Sequence, residues 1–509
     1  DISDSLLAMH RDFHVGNETI MEEYGKVEGR SLVVGSCSYQ AVVVPASVNW
    51  SESTVQLLRK FAANGGTVIA VTPVPTMVDG KWCPEVLPKE TVIVSDCREK
   101  LEAALDSTVR KDIILPNCGD ILYHHREADG MSLYYIANTS QEHSYLGTDI
   151  EIPGTGALEL WDAVSGEKYS LNCCPHDGML TFKLDFYPVS SYLIIRTDIV
   201  DESLPIYRLL PATLVGEKPL SGSWDLKLKE PNALVIDYCE VKMGSSPWTE
   251  TLPIWKAHRV VKQGGISSEY TLRYRFRVKE LPDKLSVIVE TPDQLTVTVN
   301  SKAVVMAGDD WWLDPSFHMY DIHGLVHEGE NVIEMKGILG IGTDIENCIL
   351  LGDMRVDCGD GFSILKPCGK AKGVDLTKEG YPFFTGHAVL SKVFQADSSK
   401  GRVYVRFDQV NATIAKISVN KREAGFLPWK PYELDITGLV TAGENTLEVE
   451  LVTTRHNLFG PHHNKQGEVK KFCAPHIWTN ELMWTDDYYF APVGVTNGII
   501  GYQQTARKG

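Results

Sequence analysis

The sequence predicts a multidomain, mainly β chain that opens on an α/β unit and ends in a duplicated β domain. Its 509 residues are several times what one hydrophobic core ordinarily organises. The N-terminal segment alternates short apolar runs with helical periodicity, and the second half carries one eleven-residue phrase twice. Hydrophobic residues make up 43% and charged residues 23%, ordinary globular usage that argues against disorder.

Residues 39–45 (YQAVVVP) form a continuous apolar run, as in a parallel strand buried on both faces. A helix should follow. Ser51 and Ser53 are candidate N-caps, Val55, Leu58, Phe61 and Ala62 repeat at helical spacing, and Asn64-Gly65-Gly66 supplies a left-handed stop. Residues 67–71 (TVIAV) then give a second buried strand, 91–94 a third and 98–105 another helix, so residues 1–114 read as an α/β domain.

From there the pattern turns to β. Residues 121–127 and 131–138 flank Asp129-Gly130, a hairpin signal, and turn pairs recur at Gly154-Thr155-Gly156, Ser165-Gly166 and Asp177-Gly178. A small antiparallel sandwich is expected over 115–200, with adjacent Cys173 and Cys174 read as packing residues, and a proline-bearing linker over 201–220.

The repeat organises the rest. Residues 321–331 (DIHGLVHEGEN) align with 435–445 (DITGLVTAGEN) at eight of eleven positions. Val299-Asn300 aligns with Val419-Asn420, an offset of 120 against 114 in the motif, so the first copy carries six extra residues between them. Alternating strands supply half-buried faces, and each Val-Asn step is a turn whose Asn can take positive φ. Two related β domains are expected, at 221–360 and 361–509.

Function classes narrow by exclusion. Lys plus Arg total 49 against 67 Asp plus Glu, a net charge of −18, the wrong sign for nucleic acid. The longest apolar runs fall far short of the roughly 20 residues of a membrane span. Eleven cysteines without regular spacing suggest neither a disulfide framework nor a zinc knuckle, and a reducing cytoplasm is the simplest setting. The chain starts at Asp1 without a basic-then-apolar leader, and is expected to be a piece of something longer.

The phrase "Y-x-VVVP … L-x-x-F-x-x-x-GG-x-V-I-x-V" resembles the glutamine-amidotransferase-like domain, flavodoxin-like in form, that sits inside several large glycoside hydrolases. Working amidotransferases place a cysteine at the turn after a central strand, whereas here that turn reads Pro45-Ala46-Ser47, with no GxSxG elbow or phosphate loop. The resemblance therefore implies a scaffold, with Cys37 and Cys97 as buried thiols. The phrases YYIANTS (134–140) and LELWDAVSGE (158–167) resemble the linker sandwich of the same hydrolases. The repeated D-I-x-G-L-V-x-x-G-E-N, preceded by YTLRYRFRV, resembles the galactose-binding-like, sugar-binding jelly roll of glycoside hydrolase family 2. The order of the four parts, with PNALVIDYCEV (231–241) and TTRHNLFGPHH (453–463), resembles the C-terminal half of family 106-type α-L-rhamnosidases. What this implies is a bacterial carbohydrate-recognition and scaffolding region acting with an upstream catalytic domain of the same polypeptide.

No catalytic pair is evident. A glycosidase needs two carboxyl groups about 5 to 9 Å apart, and in Asp486-Asp487 or Asp309-Asp310 neighbouring strand residues point to opposite faces. Sugar binding needs aromatic faces and hydrogen-bonding partners. Asp309, Asp310, Trp311, Trp312 and His318 gather where the copies differ, with Trp429 and Tyr432 as second-copy counterparts; the plainer reading buries one of the two tryptophans. A second candidate is the stretch with His456, His462, His463, His476, Trp478, Trp484, Asp486 and Asp487, read as a cleft lining or domain interface. Adjacent histidines diverge, so no metal site is assigned, although jelly rolls of this kind can hold a structural calcium through carbonyls and Asp. An oligosaccharide is the expected partner. A free-standing carbohydrate-binding protein and a glycosidase active on its own are the alternatives.

Overall fold

The computed structural model describes residues 2–95, 98–116, 119–207, 213–359, 361–397, 401–467 and 481–504. The chain is mainly β and multidomain, and it divides into two compact units, Asp1–Pro211 and Ala212–Gly509. No described helix is long and apolar enough to cross a membrane.

In the first unit, the strands Ala41–Val44, Thr67–Val71 and Val92–Val94 form a parallel sheet in that order. The helix Glu52–Ala63 begins where expected, with the Ser51 hydroxyl accepting from Thr54 N at 3.3 Å. Its stop is steric as well as conformational. Gly65 takes a φ of +82°, and a Cβ on Gly66 would sit 2.1 Å from the Phe61 ring. The helix Arg98–Asp106 packs Leu101 and Leu105 with Ile69, Val71 and Val94.

The run at 39–45 is not one strand. Cys37–Tyr39 closes an antiparallel meander with Gly25–Glu28 and Ser31–Val34, and the parallel strand starts only at Ala41. Cys37 therefore sits half-buried on an edge strand rather than in a core, and Cys97 lies outside the described residues. The sandwich that follows stacks a five-stranded sheet on a three-stranded one around Tyr134, Ile136, Ile150, Phe182 and Ile194. Its first hairpin pairs Ile121–Ala128 with Met131–Asn138 through Asp129 and Gly130, at φ +51° and +76°. Cys173 packs against this core, while Cys174 is exposed.

The second unit holds two jelly-roll sandwiches of matching construction. In the first copy Glu269–Val278 pairs with Gly329–Ile338 and then Leu295–Val299; in the second, His387–Ala396 pairs with Gly443–Val452 and then Ile414–Val419. The registers coincide, with Val278 opposite Gly329 and Ala396 opposite Gly443. The facing sheets correspond as well: Leu285–Glu290 and Arg402–Phe407 occupy the same place between their neighbours.

The boundaries differ from those expected. Within the span read as a linker, Thr213–Pro219 is a strand paired with Ile499–Gln504, and Trp224–Leu228 pairs with His387–Ala396. Trp224 and Leu226 accordingly belong to the second core. The first jelly roll is thus an insertion in the second, not its predecessor in tandem. Local periodicity cannot show this, because the pairing spans nearly the whole unit.

The repeated motif is a buried clasp. Asn331 is fully buried; its Oδ1 accepts from His327 N at 3.1 Å and from Asn300 Nδ2 at 2.8 Å, and its Nδ2 donates to His327 O at 2.7 Å. Asn445 repeats each bond, from Thr441 N at 2.8 Å, from Asn420 Nδ2 at 2.8 Å and to Thr441 O at 2.8 Å. Asn300 and Asn420, at φ +49° and +52°, begin the turns that the Val-Asn steps call for, and each also accepts from the next strand's backbone at 3.0 Å. Each satisfied bond contributes about 1 kcal/mol, whereas leaving its partners buried and unpaired costs about 1–3 kcal/mol per group. Asn445→Ala should therefore destabilise the second unit by roughly 3 kcal/mol or more, measured as a lowered urea midpoint, and an unchanged midpoint would show that the motif is not structural.

Candidate functional site

The six-residue excess of the first copy builds a short edge strand. Trp311–Trp312 pairs with Asp314–Asp321 at the end of a five-stranded sheet, and strand alternation sends the two indoles to opposite faces. Trp312 is 9% exposed and joins the core, while Trp311 is 54% exposed opposite His318. Asp309 and Asp310 are exposed beside it, and the Asp310 carbonyl accepts from Met319 N at 2.9 Å. His318 lies near-parallel to Tyr320 with ring centres 6.3 Å apart. Asp309, Asp310, Trp311 and His318 thus share an edge of the first jelly roll, whereas half-buried Trp429 and Tyr432 belong to the second.

The histidine-rich stretch converges on a residue that sequence reading did not single out, Asp237. It follows the strand Asn232–Ile236 and is 4% exposed. Its Oδ2 lies 2.9 Å from His463 Nε2, and its Oδ1 accepts the Tyr488 hydroxyl at 2.5 Å. His463 Nδ1 faces the Thr485 carbonyl at 2.9 Å, and a carbonyl only accepts, so Nδ1 carries a hydrogen. The imidazole is thus held on both sides, by the Thr485 carbonyl and by the Asp237 carboxylate. Burial, with the Asp237 carboxylate adding to it, pushes the Tyr488 phenol far up and keeps it a donor.

Contrary to the expected divergence of adjacent histidines, His462 approaches the same carboxylate, its Nδ1 lying 3.9 Å from Asp237 Oδ2. His462 Nε2 meets the Asn457 carbonyl at 2.9 Å, and burial holds its imidazole below the ordinary range. Trp484 stacks on His463 at 4.4 Å and donates to Asp486 Oδ1 at 3.1 Å, an oxygen that also accepts Tyr238 OH at 2.7 Å. The Tyr238 bond, then that of Trp484, keeps the Asp486 carboxyl low. This is an interface: Asp237 and Tyr238 come from the first jelly roll, and the rest from the long connection of the second. Trp478 and His476 lie outside the described residues. Among the described residues no group of three or more His, Cys, Asp or Glu is placed to hold a metal.

That connection also supplies one wall of a cavity of about 580 Å³ in the first jelly roll. Tyr270, Tyr274 and Met335 line it from one sheet, Ile288, Phe317 and Ile349 from the other, and Arg455 to Gly460 close it. Glu290, Asp344, Glu346 and Asn347 bring polar groups to its surface. Burial, then the neighbouring charges of Asp344 and Glu290, push the Glu346 carboxyl up to about 7; burial, Asp344 and Asp314 raise Glu290. Of the cavity residues, only His456 was among the candidates that the sequence offered. No local signal marks its acids, which sit in an ordinary polar turn (342–348, GTDIENC) and at the end of the strand Leu285–Glu290.

Two outcomes follow. Asp237→Ala should cost about 3–5 kcal/mol, seen in chemical unfolding, because His463 and Tyr488 lose their acceptor in a dry interface. The folded Glu346 carboxyl binds its proton more tightly than an ordinary glutamate of 4.5, so its contribution to stability is complete below about 4.5 and is lost as pH rises through about 7. Glu346→Gln should therefore raise the melting temperature at pH 8 and leave it nearly unchanged at pH 4.5. Thermal scans of both proteins across that range check it.

No family model matches the chain, and no curated protein matches it. Among solved structures it is similar to a rhamnosidase from Novosphingobium sp. PP1Y, at 15% identity and a TM-score of 0.46, over 95% of this chain and 36% of that one. It is also similar to an α-L-rhamnosidase from Streptomyces avermitilis complexed with L-rhamnose, at 10% identity and a TM-score of 0.21, over 74% of this chain and 32% of that one. A glycosyl hydrolase family 2 member from Bacteroides cellulosilyticus shows 12% identity and a TM-score of 0.20, over 44% of this chain and 31% of that one. The chain spans about a third of the length of these structures.

Proposed function

We propose that this chain is a carbohydrate-recognition and scaffolding region of a hydrolase acting on glycans, with the catalytic barrel elsewhere in the same polypeptide. The cavity of the first jelly roll carries the reading. The half-buried Phe317 offers an aromatic face to the C–H face of a pyranose, and Glu290, Asp344, Glu346 and Asn347 suit its hydroxyls. The repeated motif, which resembles that of family 2 sugar-binding jelly rolls, agrees with it. α-L-Rhamnosides are the first substrates to test. The edge holding Trp311, Asp309, Asp310 and His318 offers a further stacking surface for a longer glycan.

A second reading has one specific observation behind it. Glu346 and Glu290 share a cavity, and a carboxyl that keeps its proton near neutrality is what a glycosidic general acid requires. One experiment separates the two. The whole chain is titrated with L-rhamnose and rhamnosyl oligosaccharides by calorimetry, and incubated with aryl glycosides. Recognition without turnover is expected, with Phe317→Ala weakening binding about tenfold, as loss of one stacking face implies. Turnover abolished by Glu346→Gln would establish the second reading instead, and absence of binding to any glycan would defeat the first.

A further inference from the structure

We propose that the ligand of this cavity is a glycoside of an aliphatic alcohol, with its hydrocarbon chain between the two sheets of the first jelly roll and its sugar at the mouth. The sugar rests on the carbohydrate reading above; the chain rests on the apolar wall alone.

A sandwich core ordinarily closes to the density of an organic crystal. Here about 580 Å³ stays open between the sheets. Ile288 and Ile349 stand opposite each other in register on one sheet, and Leu295 and Met335 line the space from the other. Phe459, from the connection of the second jelly roll, is half-buried beside them, as is Leu295. All five side chains are apolar, and such a surface favours a solute that takes it out of water.

The mouth has the opposite character. Glu290, Thr291, Asp344 and Arg455 are exposed to solvent there, and groups of this kind exchange water for sugar hydroxyls. Asn347 stands at the join, where the turn at 342–347 runs into the strand Cys348–Gly352. Its side-chain oxygen is buried without a hydrogen-bond partner among the described residues. A sugar hydroxyl beside the glycosidic bond supplies that donor, and a bare hydrocarbon does not. A polar head joined to a chain therefore matches the cavity along its depth, whereas a sugar alone leaves the apolar wall wet.

The wall also tells a chain from a flat ring. Phe317 and Phe459 are the half-buried phenyl rings of the cavity, and their planes meet at 49° with centres 6.1 Å apart. They form no parallel slot for an aryl group. Branched aliphatic side chains and the unbranched, adaptable Met335 suit a flexible chain instead.

The test is calorimetry on the whole chain with methyl, butyl and hexyl glycosides of L-rhamnose and of D-glucose, the phenyl glycoside of each, and 1-hexanol. Affinity is expected to rise about fourfold for each methylene that becomes buried, with a heat-capacity change that grows more negative along the series. Leu295→Ser should flatten that rise, and the series in the native protein stands whether or not the variant folds. Equal binding of methyl and hexyl glycosides would overturn the chain and leave the carbohydrate reading standing. Hexanol binding as tightly as the hexyl glycosides would keep the chain but overturn the glycoside, and the carbohydrate reading with it. Tighter binding of a phenyl than of a hexyl glycoside, a chain-length series unaffected by Leu295→Ser, or no binding of any probe would each overturn the proposal.

Discussion

A carboxylate that cannot reach water must be matched by donors, and Asp237 imposes that constraint on the whole second unit. Its partners, His463 and Tyr488, lie on a connection of the second jelly roll that runs from Val452 towards Ile499. Without them the buried charge would stand unpaired, which is far costlier than a lost surface contact. Satisfying it draws the connection onto the first jelly roll. The same connection carries Arg455, His456, Leu458 and Phe459, which wall the cavity. The electrostatic needs of one aspartate therefore fix the geometry of a site to which that aspartate does not itself belong.

The duplicated sheets show how this arose on one plan. Register equates Tyr270 with Ala388 and Tyr274 with Lys392. Two aromatic cavity walls in the first copy are thus replaced by a small residue and by a lysine that donates to the Gly222 and Ser223 carbonyls. The connection after the long central strand also diverges, from the short turn bearing Asp344 and Glu346 to the long stretch bearing His462 and His463. The clasps at Asn331 and Asn445, by contrast, repeat the same amide and backbone bonds, with the Thr441 hydroxyl adding one at 3.3 Å in the second copy. Duplication kept what holds the sheets and changed what sits between them, and loops on a rigid β scaffold are free to do so.

This contrast explains what was legible in the sequence. The helix cap at Ser51, the stop at Gly65, the Asp129-Gly130 hairpin and the asparagine turns were readable because the signal and the structure lie within a few residues of each other. The nesting of one jelly roll inside the other was not, since Thr213–Pro219 pairs across most of the unit with Ile499–Gln504. The indole pair was half legible: alternation says that Trp311 and Trp312 part company, but only packing says which one is buried. Aromatic and histidine clusters drew attention to sugar platforms and clefts, whereas the histidines close an interface. The acidic cavity was invisible because Glu290 and Glu346 are 56 positions apart in the chain, and only the pairing of Leu285–Glu290 with Cys348–Gly352 brings their elements together.

Polar matching is uneven across the second unit: the asparagine clasps and Asp237 are satisfied, whereas Asn232 Oδ1, Trp255 Nε1 and Asn347 Oδ1 are buried without a hydrogen-bond partner among the described residues. At Glu346, burial and then the neighbouring charges of Asp344 and Glu290 raise proton affinity, at a cost to stability above neutral pH. Strain of this kind is kept where a ligand relieves it. A carboxyl that keeps its proton near neutrality at the wall of a cavity therefore marks this cavity as the place to look for a ligand.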